Sequence, residues 1–307
     1  MKVMVFDVGG TEIKYSVMDE RLNRTDAGSV PTPQGTQEQF LDTIYRLYAP
    51  HRDEVSGIAM ALPGFVDSRT GFVSNCGALL YNTGTQVGQR VRERCGCPVV
   101  LENDGKAAAL AELRAGALQG CTNAAVFLIG TGVGGGIIAN GELVRGVHFT
   151  AGEYSFVCTN AAGWEDEHNN MACQCSTTNL LDWYRARKAL PDTAPLNGHI
   201  FFDAANAGEP EALETLERFC KAVAVQVYNL TVLLDVEAVA IGGGISRQPL
   251  LLETLRRVYA GLFASRGDSP YMIGLPRTRI LPCAFRSEAN QVGAMYVYLQ
   301  ACRDGSL

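Results

Sequence analysis

Residues 2–17 read KVMVFDVGGTEIKYSV, and residues 124–139 read AAVFLIGTGVGGGIIA. In each stretch a short apolar run meets a glycine-rich tip, and a second apolar run follows it. This pattern predicts two β-strands joined by a tight turn. The chain therefore opens with a glycine hairpin that is echoed near its middle, and such an echo indicates a duplicated α/β core.

Outside the hairpins, segments with helical spacing of apolar residues alternate with short apolar runs. The first predicted helix begins at Thr36. The other predicted helices cover 86–95, 103–118, 177–190, 209–234, 248–264 and 287–302. The predicted strands cover 55–61, 98–102, 238–241 and 278–283, and residues 141–176 are predicted to be loop-rich. Strands alternating with helices indicate a mostly parallel sheet covered on both faces.

The composition excludes several classes of protein. The chain has 307 residues, 47% hydrophobic and 19% charged, with a formal net charge of −6. These are the proportions of a globular protein with a sizeable core, which does not depend on disulfides or bound metals for its stability. No run of Lys or Arg exceeds a pair, so nucleic acid is not an expected partner. No apolar stretch is long enough to span a membrane, and Asp7 interrupts the first apolar run, so we expect a cytoplasmic protein with no membrane partner.

Three glycine clusters each follow a short apolar strand. They are Asp7-Val-Gly9-Gly10-Thr11, Gly130-Thr131-Gly132 with 134–136, and 242–244. Glycine lets backbone N–H groups approach phosphate oxygens closely, and the hydroxyls of Thr11 and Thr131 add donors. One such turn alone is better explained by the needs of a tight hairpin. Three of them together favour a single bound nucleotide.

The stretch 130–135 also matches the spacing G-x-G-x-x-G of a dinucleotide-binding fingerprint. That fingerprint must open a helix. Here the glycines lead into Ile137-Ile138-Ala139 and a second turn at Asn140-Gly141, which is hairpin patterning. A dinucleotide-dependent oxidoreductase is therefore disfavoured, and no P-loop spacing is present either.

A carboxylate lies at the carboxyl end of a predicted strand, in Glu102-Asn103-Asp104. Ligands of open α/β sheets collect at that edge. Asn103 or Asp104 is also a suitable N-cap for the Ala-rich helix that follows. Next to phosphate-binding turns, Asp104 is better interpreted as a general base that takes a proton from an attacking hydroxyl.

Taken in order, six motifs resemble the ROK (repressor, open reading frame, kinase) family of sugar kinases, and the resemblance spans essentially the whole chain. The motifs are Asp7-x-Gly9-Gly10-Thr11-x-x-Lys14, Pro63-Gly64, Glu102-Asn103-Asp104, Gly130-Thr131-Gly132-x-Gly134-Gly135-Gly136, Ala151-Gly152-Glu153 and Ile241-Gly242-Gly243-Gly244. The resemblance implies the actin-like ATPase (ribonuclease H-like) fold, with two α/β lobes around an active-site cleft. We expect the smaller lobe to comprise 1–117 plus 287–307 and the larger 118–286.

The resemblance also implies ATP and Mg2+ as cofactors and a small-molecule sugar as substrate. Asp104 matches the catalytic base, and the expected substrate contacts are Gly64, Asn103, Asp104, Glu153, Phe156 and Asp182. The expected phosphate, magnesium and adenosine contacts are Asp7, Gly9, Gly10, Thr11, Lys14, Gly130, Thr131, Gly132, Gly243 and Gly244. A homodimer is implied by the family alone.

Two positions depart from the family pattern. Members usually carry a His and three Cys that bind a structural zinc, whereas two of those four ligands are replaced here by Phe156 and Leu180. Because a closed zinc site needs four ligands, we expect no structural zinc. An alternative is a rewired site of Cys158, His168, Cys173 and Cys175, whose spacings do not match ordinary zinc motifs.

The same departures alter the expected sugar site. The family's histidine orients the sugar and its last glutamate contacts hydroxyls near the anomeric end, where this chain has Phe156 and Asp182. A phenyl ring offers a stacking surface in place of hydrogen bonds. The chain therefore resembles the zinc-less branch that contains β-glucoside kinases. Trp164 and Trp183 are expected to pack in the interior.

The expected function is ATP-dependent phosphorylation of a hexose or β-glucoside hydroxyl. The alternative is a sugar- and nucleotide-binding regulatory protein without a DNA-binding domain, because the family includes repressors with a winged helix before the first hairpin. Here that hairpin begins at residue 2. A general base at Asp104 favours the kinase, since a sensor needs none.

Overall fold

The structure is a computed structural model that describes residues 1–266 and 269–307. It divides into two compact units. The first comprises Met1–Ala115, Leu143–Ala151 and Ser287–Leu307, and the second comprises Gly116–Glu142 and Gly152–Arg286. This division differs from the predicted boundaries mainly at 143–151, a segment whose Arg145 forms an ion pair with Glu102 of the first unit.

The strands are β1 (Lys2–Val8), β2 (Glu12–Asp19), β3 (Arg24–Pro31), β4 (Ile58–Leu62), β5 (Phe65–Asp67), β6 (Phe72–Asn75), β7 (Val99–Asn103), β8 (Ala124–Ile129), β9 (Val133–Ala139), β10 (Glu142–Val144), β11 (Ala238–Gly242) and β12 (Arg279–Pro282). The α-helices are α1 (Gln37–Tyr48), α2 (Val87–Cys95), α3 (Asp104–Ala115), α4 (Met171–Cys175), α5 (Thr177–Arg187), α6 (Gly198–Asn206), α7 (Pro210–Leu234), α8 (Pro249–Ala264) and α9 (Ala289–Asp304).

The two main sheets share one plan, which the echoed hairpins predicted. The first sheet has the order β3-β2-β1-β4-β7 and the second β10-β9-β8-β11-β12. In each sheet an antiparallel hairpin, β1–β2 or β8–β9, is extended by two parallel strands. The strands next to the hairpins are almost wholly buried, as expected for parallel strands covered on both faces.

Two helices fix the position of the predicted base. Nine of the twelve residues of α3 are buried, and its alanines allow α9 to approach closely. A Cβ added at Gly293 of α9 would lie 1.8 Å from the carbonyl oxygen of Ala107 in α3. Only glycine fits at this crossing. The packing holds the start of α3 rigidly at the end of β7.

Sequence patterns missed several elements. The residues of β3 are mostly exposed and follow no apolar alternation, so nothing marked this edge strand. The short pair β5 and β6 and the helix α6 were also not predicted. The strand predicted at 55–61 begins three residues later, at Ile58. Among the described residues, no helix is both long enough and apolar enough to span a membrane.

Candidate active site

Asn103 and Asp104 lie at the junction of β7 and α3 and have different roles. The side-chain oxygen of Asn103 accepts from the Lys106 N–H (2.9 Å), so Asn103 provides the helix cap. Its Nδ2 donates to the carbonyl oxygen of Gly64 (2.9 Å) and to Asp104 Oδ1 (3.1 Å). Asp104 Oδ1 also accepts from the Gly105 N–H (2.7 Å). The carboxylate is therefore oriented by its neighbours and is not consumed as the cap.

Gly64 is held where no other residue fits. Its φ is +88°, and an added Cβ would lie 2.1 Å from the carbonyl oxygen of Asn75. This backbone approach brings the Gly64 carbonyl to Asn103. Cys76, the next residue after Asn75, is also close to Asp104: burial first, and then the Asp104 charge, raise the pKa of its thiol to about 11. The structure thus brings Gly64, Asn103 and Asp104 together.

Glu102, the residue before this pair, is completely buried. Its Oε2 lies 2.7 Å from Nε of Arg145, and its Oε1 accepts from the Asn103 N–H (3.0 Å). A buried carboxylate needs such partners to offset the loss of hydration. The sequence did not indicate Arg145, because the two residues are 43 positions apart.

In the first glycine turn, residues 9–11, the carbonyl groups accept hydrogen bonds within the protein, whereas two N–H groups donate to no described residue. Thr32 Oγ1 donates to the carbonyl of Gly9 (2.7 Å) and Gln34 Nε2 to that of Gly10 (2.7 Å). The Thr32 N–H donates to the carbonyl of Thr11 (2.9 Å). Within the described residues, the N–H groups of Gly10 and Thr11 donate to no protein group. Such a turn is suited to binding phosphate oxygens.

Asp7 lies at the end of β1, beside this turn. Asn290 Nδ2 donates to its Oδ1 (2.8 Å), and Lys14 Nζ lies 3.9 Å from its Oδ2. Burial raises the pKa of the Asp7 carboxyl, and the Asn290 hydrogen bond and Lys14 offset this only in part. Asn290 was not predicted; it comes from the start of α9, 283 positions along the chain.

The second glycine turn has the same character. The carbonyl of Gly130 accepts from the Thr177 N–H (2.8 Å) and that of Thr131 from Thr178 Oγ1 (3.4 Å). No described residue accepts from the N–H groups of Thr131 and Gly132. The first turn of α5 therefore holds the second glycine turn in place through its carbonyl groups, and the N–H groups of Thr131 and Gly132 are not used in these contacts.

Gly243, in the third cluster, has a φ of +93°, and an added Cβ would lie 2.1 Å from the Ile129 carbonyl oxygen. This contact brings the end of β11 against the end of β8. A pocket of about 550 Å³ in the second unit, called the α5 pocket, lies at this edge. Its lining includes Gly130, Thr131, Thr178, Asp182, Gly244 and Gln248.

Asp182 was expected among the sugar contacts, and the structure groups it differently. It lines the α5 pocket with Gly130, Thr131 and Gly244, all expected to contact the nucleotide. Glu153 and Phe156 are not among the residues that line this pocket. The reason is that α5 begins at Thr177, directly against Gly130, so its second turn faces the glycine turns.

Glu153 and Phe156 lie in an irregular segment after β10. Glu153 precedes a short 3₁₀ turn that ends at Phe156, whose side chain is 71% exposed. The side chain of Trp164 is 72% exposed, so the expectation that it packs in the interior was wrong. Trp183 is partly buried against the core of the second unit, with Arg218 stacked on its ring.

The proposed rewired metal set is not assembled. Among the described residues, Cys158, His168, Cys173 and Cys175 do not form a group of three or more ligand atoms. His168 pairs with Asp166 at the surface, and burial raises the pKa of the Cys175 thiol to about 12. That the protein lacks a structural zinc stays a prediction, which elemental analysis checks.

Sequence comparison assigns the family. The ROK family matches residues 3–301, almost the entire chain. The chain belongs to the ROK family. A relative from Klebsiella pneumoniae described as a beta-glucoside kinase is 32% identical over 308 residues, covering 99% of this chain and 98% of the relative.

Solved ROK structures agree with this assignment. A ROK family protein from Streptococcus pneumoniae in complex with sucrose has a TM-score of 0.87 and 28% identity, covering 99% of this chain and 100% of that one. A ROK family glucokinase from Streptomyces griseus in complex with glucose and AMPPNP has a TM-score of 0.80 and 27% identity, covering 98% and 100%. The predicted actin-like ATPase fold is confirmed.

Proposed function

We propose that this chain transfers the γ-phosphoryl group of ATP to a hydroxyl of a β-glucoside, with Asp104 as the general base. Its activity as an ATP-dependent sugar kinase follows from ROK membership and from kinases such as the Klebsiella pneumoniae and Streptomyces griseus proteins. What we propose beyond this activity is Asp104 as the catalytic base and a β-glucoside as the substrate. A regulator without catalysis is not favoured by any feature of the site.

The observation that carries the proposal is the oriented carboxylate of Asp104. One of its oxygens is fixed by the Asn103 amide and the Gly105 N–H. Phosphoryl transfer needs little covalent help from the protein, so positioned donors and one base suffice. Asp104 accepts the proton of the sugar hydroxyl as that oxygen attacks phosphorus. The Gly64 carbonyl and Asn103 are suited to hold neighbouring hydroxyls.

ATP and a divalent metal ion fit the first glycine turn. The open N–H groups of Gly10 and Thr11 are donors for phosphate oxygens. Asp7 is a buried carboxylate whose charge is only partly compensated, and carboxylate oxygen is a ligand that Mg2+ prefers. When bound, the metal neutralises charge on the phosphates. Asp7 and Lys14 are the residues that would hold the metal and the phosphates.

A β-glucoside is favoured over a free hexose by two observations, and a third shows that a ROK protein can hold a sugar with a second ring. The Klebsiella pneumoniae relative is described as a beta-glucoside kinase, and its similarity to this chain extends over nearly the full length of both. The exposed ring of Phe156, at the position where the family pattern has a hydrogen-bonding histidine, offers an apolar surface to a second ring attached at the anomeric oxygen. The ROK protein from Streptococcus pneumoniae holds a disaccharide, sucrose.

The test is an ADP-release assay with cellobiose, glucose and N-acetylglucosamine as acceptors. Cellobiose is expected to be phosphorylated with a kcat/KM at least comparable to that of glucose. Mass spectrometry of the product checks that the phosphate is on the disaccharide. ADP release without a phosphorylated sugar from any acceptor would contradict the proposal.

A further inference from the structure

The first turn of α5 contacts the glycine turn that is expected to bind phosphates. The Thr177 N–H donates to the Gly130 carbonyl, and Thr178 Oγ1 donates to that of Thr131. Both glycine-turn residues and both threonines line the α5 pocket. A nucleotide with its phosphates at this turn would therefore extend its ribose along α5.

Asp182 lies one helical turn beyond Thr178, on the same side of α5. Four residues of an α-helix rise about 6 Å, and side chains at i and i+4 share a face. This separation is comparable with that between the α-phosphate and the ribose hydroxyls of a nucleotide. Both side chains line the α5 pocket.

The carboxylate of Asp182 has the right chemistry for a diol. Among the described residues it forms no hydrogen bond or ion pair, and no other carboxylate lines the pocket. A carboxylate only accepts, and vicinal hydroxyls are its matched donors. The remaining walls include Leu196, Phe202 and Ile245, which are apolar surfaces suited to a base.

We infer that Asp182 accepts hydrogen bonds from the ribose hydroxyls of ATP and so selects ribonucleotides over 2′-deoxyribonucleotides. The inference rests on the proposed use of ATP, and it replaces the expected role of Asp182 as a sugar contact. Acidic residues that bind the ribose 2′-hydroxyl are a general solution in nucleotide sites. A hydrogen bond between a hydroxyl and a carboxylate is stronger than one between neutral groups, so the nucleotide that lacks the 2′-hydroxyl should bind less tightly.

The experiment compares ATP with 2′-deoxy-ATP in the wild type and in Asp182→Ala. The wild type is expected to prefer ATP by at least tenfold in kcat/KM. The variant is expected to lose about tenfold with ATP and less than twofold with 2′-deoxy-ATP, so that the two nucleotides become equivalent. The KM for the sugar should change by less than twofold.

Asp203→Ala is the matched control, because it removes an exposed carboxylate from the same unit that does not line the pocket. It should leave the nucleotide preference unchanged. A rise in the KM for the sugar with an intact preference for ATP would overturn the inference and return Asp182 to the sugar. A wild type that does not distinguish the two nucleotides would also overturn it.

Binding measured without sugar separates this inference from the proposed function. Calorimetry of wild type and Asp182→Ala with ATP and with 2′-deoxy-ATP reports recognition of the ribose whether or not any sugar is phosphorylated. Discrimination in binding, lost in the variant, supports the inference even if every acceptor fails. Phosphorylation of a sugar with no discrimination in binding or turnover contradicts it and leaves the proposed function intact.

Discussion

Nε of Arg145 lies 2.7 Å from Oε2 of Glu102, whose side chain is completely buried. The other oxygen of Glu102 accepts from the N–H of Asn103, the residue that caps α3 and orients Asp104. Arg145 is thereby connected to Asp104, the proposed base, through Glu102 and Asn103.

Replacing Arg145 by Met should destabilise the protein strongly. The substitution leaves the Glu102 charge buried without its partner, which typically costs about 3–5 kcal/mol. Urea denaturation should show this loss in the free energy of unfolding. Arg69→Met removes an exposed guanidinium that lies 3.7 Å from Asp67, so it should cost less than about 1 kcal/mol.

A second variant separates charge from packing. Glu102→Gln combined with Arg145→Met removes both charges and keeps an acceptor for the Asn103 N–H. It should recover at least half of the lost stability. A double variant no more stable than Arg145→Met would show that the arginine acts by packing and not by pairing.

Asp104→Asn should lower kcat by about 10² to 10⁴ while folding and ATP binding stay nearly intact. The amide keeps the size of the side chain and an oxygen for the Gly105 N–H, and it cannot accept the proton of the sugar hydroxyl. Steady-state kinetics and thermal unfolding measure the two effects. Asp53→Asn, an exposed carboxylate of the same unit, is the control. Retention of more than about a tenth of wild-type kcat would remove Asp104 from this role.

Asp7→Asn should make the protein more stable near neutral pH and inactive. Burial raises the pKa of Asp7, so the folded state binds a proton that the unfolded state has already released. Stability therefore falls as the pH rises from the usual pKa of an aspartate through the raised one. An amide removes this cost and still accepts from Asn290. Each 1 kcal/mol gained corresponds to roughly 2–4 °C in Tm.

Thermal unfolding of both proteins between pH 4 and pH 8 measures this effect. The advantage of Asp7→Asn should shrink as the pH falls and Asp7 itself becomes protonated. The increase in Tm caused by ATP with Mg2+ should be lost in the variant and kept in Asp26→Asn, which removes an exposed carboxylate. A pH-independent difference in Tm would show that burial of the Asp7 charge is not its cause.

The sequence predicted what short-range patterns encode. Short apolar runs and glycine tips are local features, so both hairpins were found. Asn103 and Asp104 were found because polar residues at the end of a buried strand are conspicuous. The exposed strand β3 lacks any such pattern.

Long-range partners could not be predicted in the same way. Nothing near Asp7 indicates Asn290, and nothing near Glu102 indicates Arg145, because folding alone brings these pairs together. Asp182 was placed among the sugar contacts by the family resemblance alone. The structure starts α5 at Thr177, against Gly130, and Asp182 in its second turn lines the α5 pocket together with Gly130 and Thr131.

Phe156 is the residue on which the proposed preference for a β-glucoside depends, since we assign Asp182 to the ribose of ATP. An exposed aromatic ring contributes on the order of 1 kcal/mol when another ring stacks on it, which corresponds to about a fivefold change in affinity. Only a substrate with a second ring would gain this energy. The effect must therefore differ between a disaccharide and a monosaccharide.

Phe156→Ala should raise the KM for cellobiose about fivefold and leave the KM for glucose within twofold, because only the disaccharide extends beyond the anomeric oxygen. Tyr271→Ala, which removes another exposed aromatic side chain of the second unit, should change neither. Parallel initial-rate measurements on both acceptors decide the matter. Equal effects on the two KM values would give Phe156 a role shared by all sugars. A wild type that prefers glucose a hundredfold or more would mean that the site is closed at the anomeric oxygen and that the exposed ring serves no second sugar.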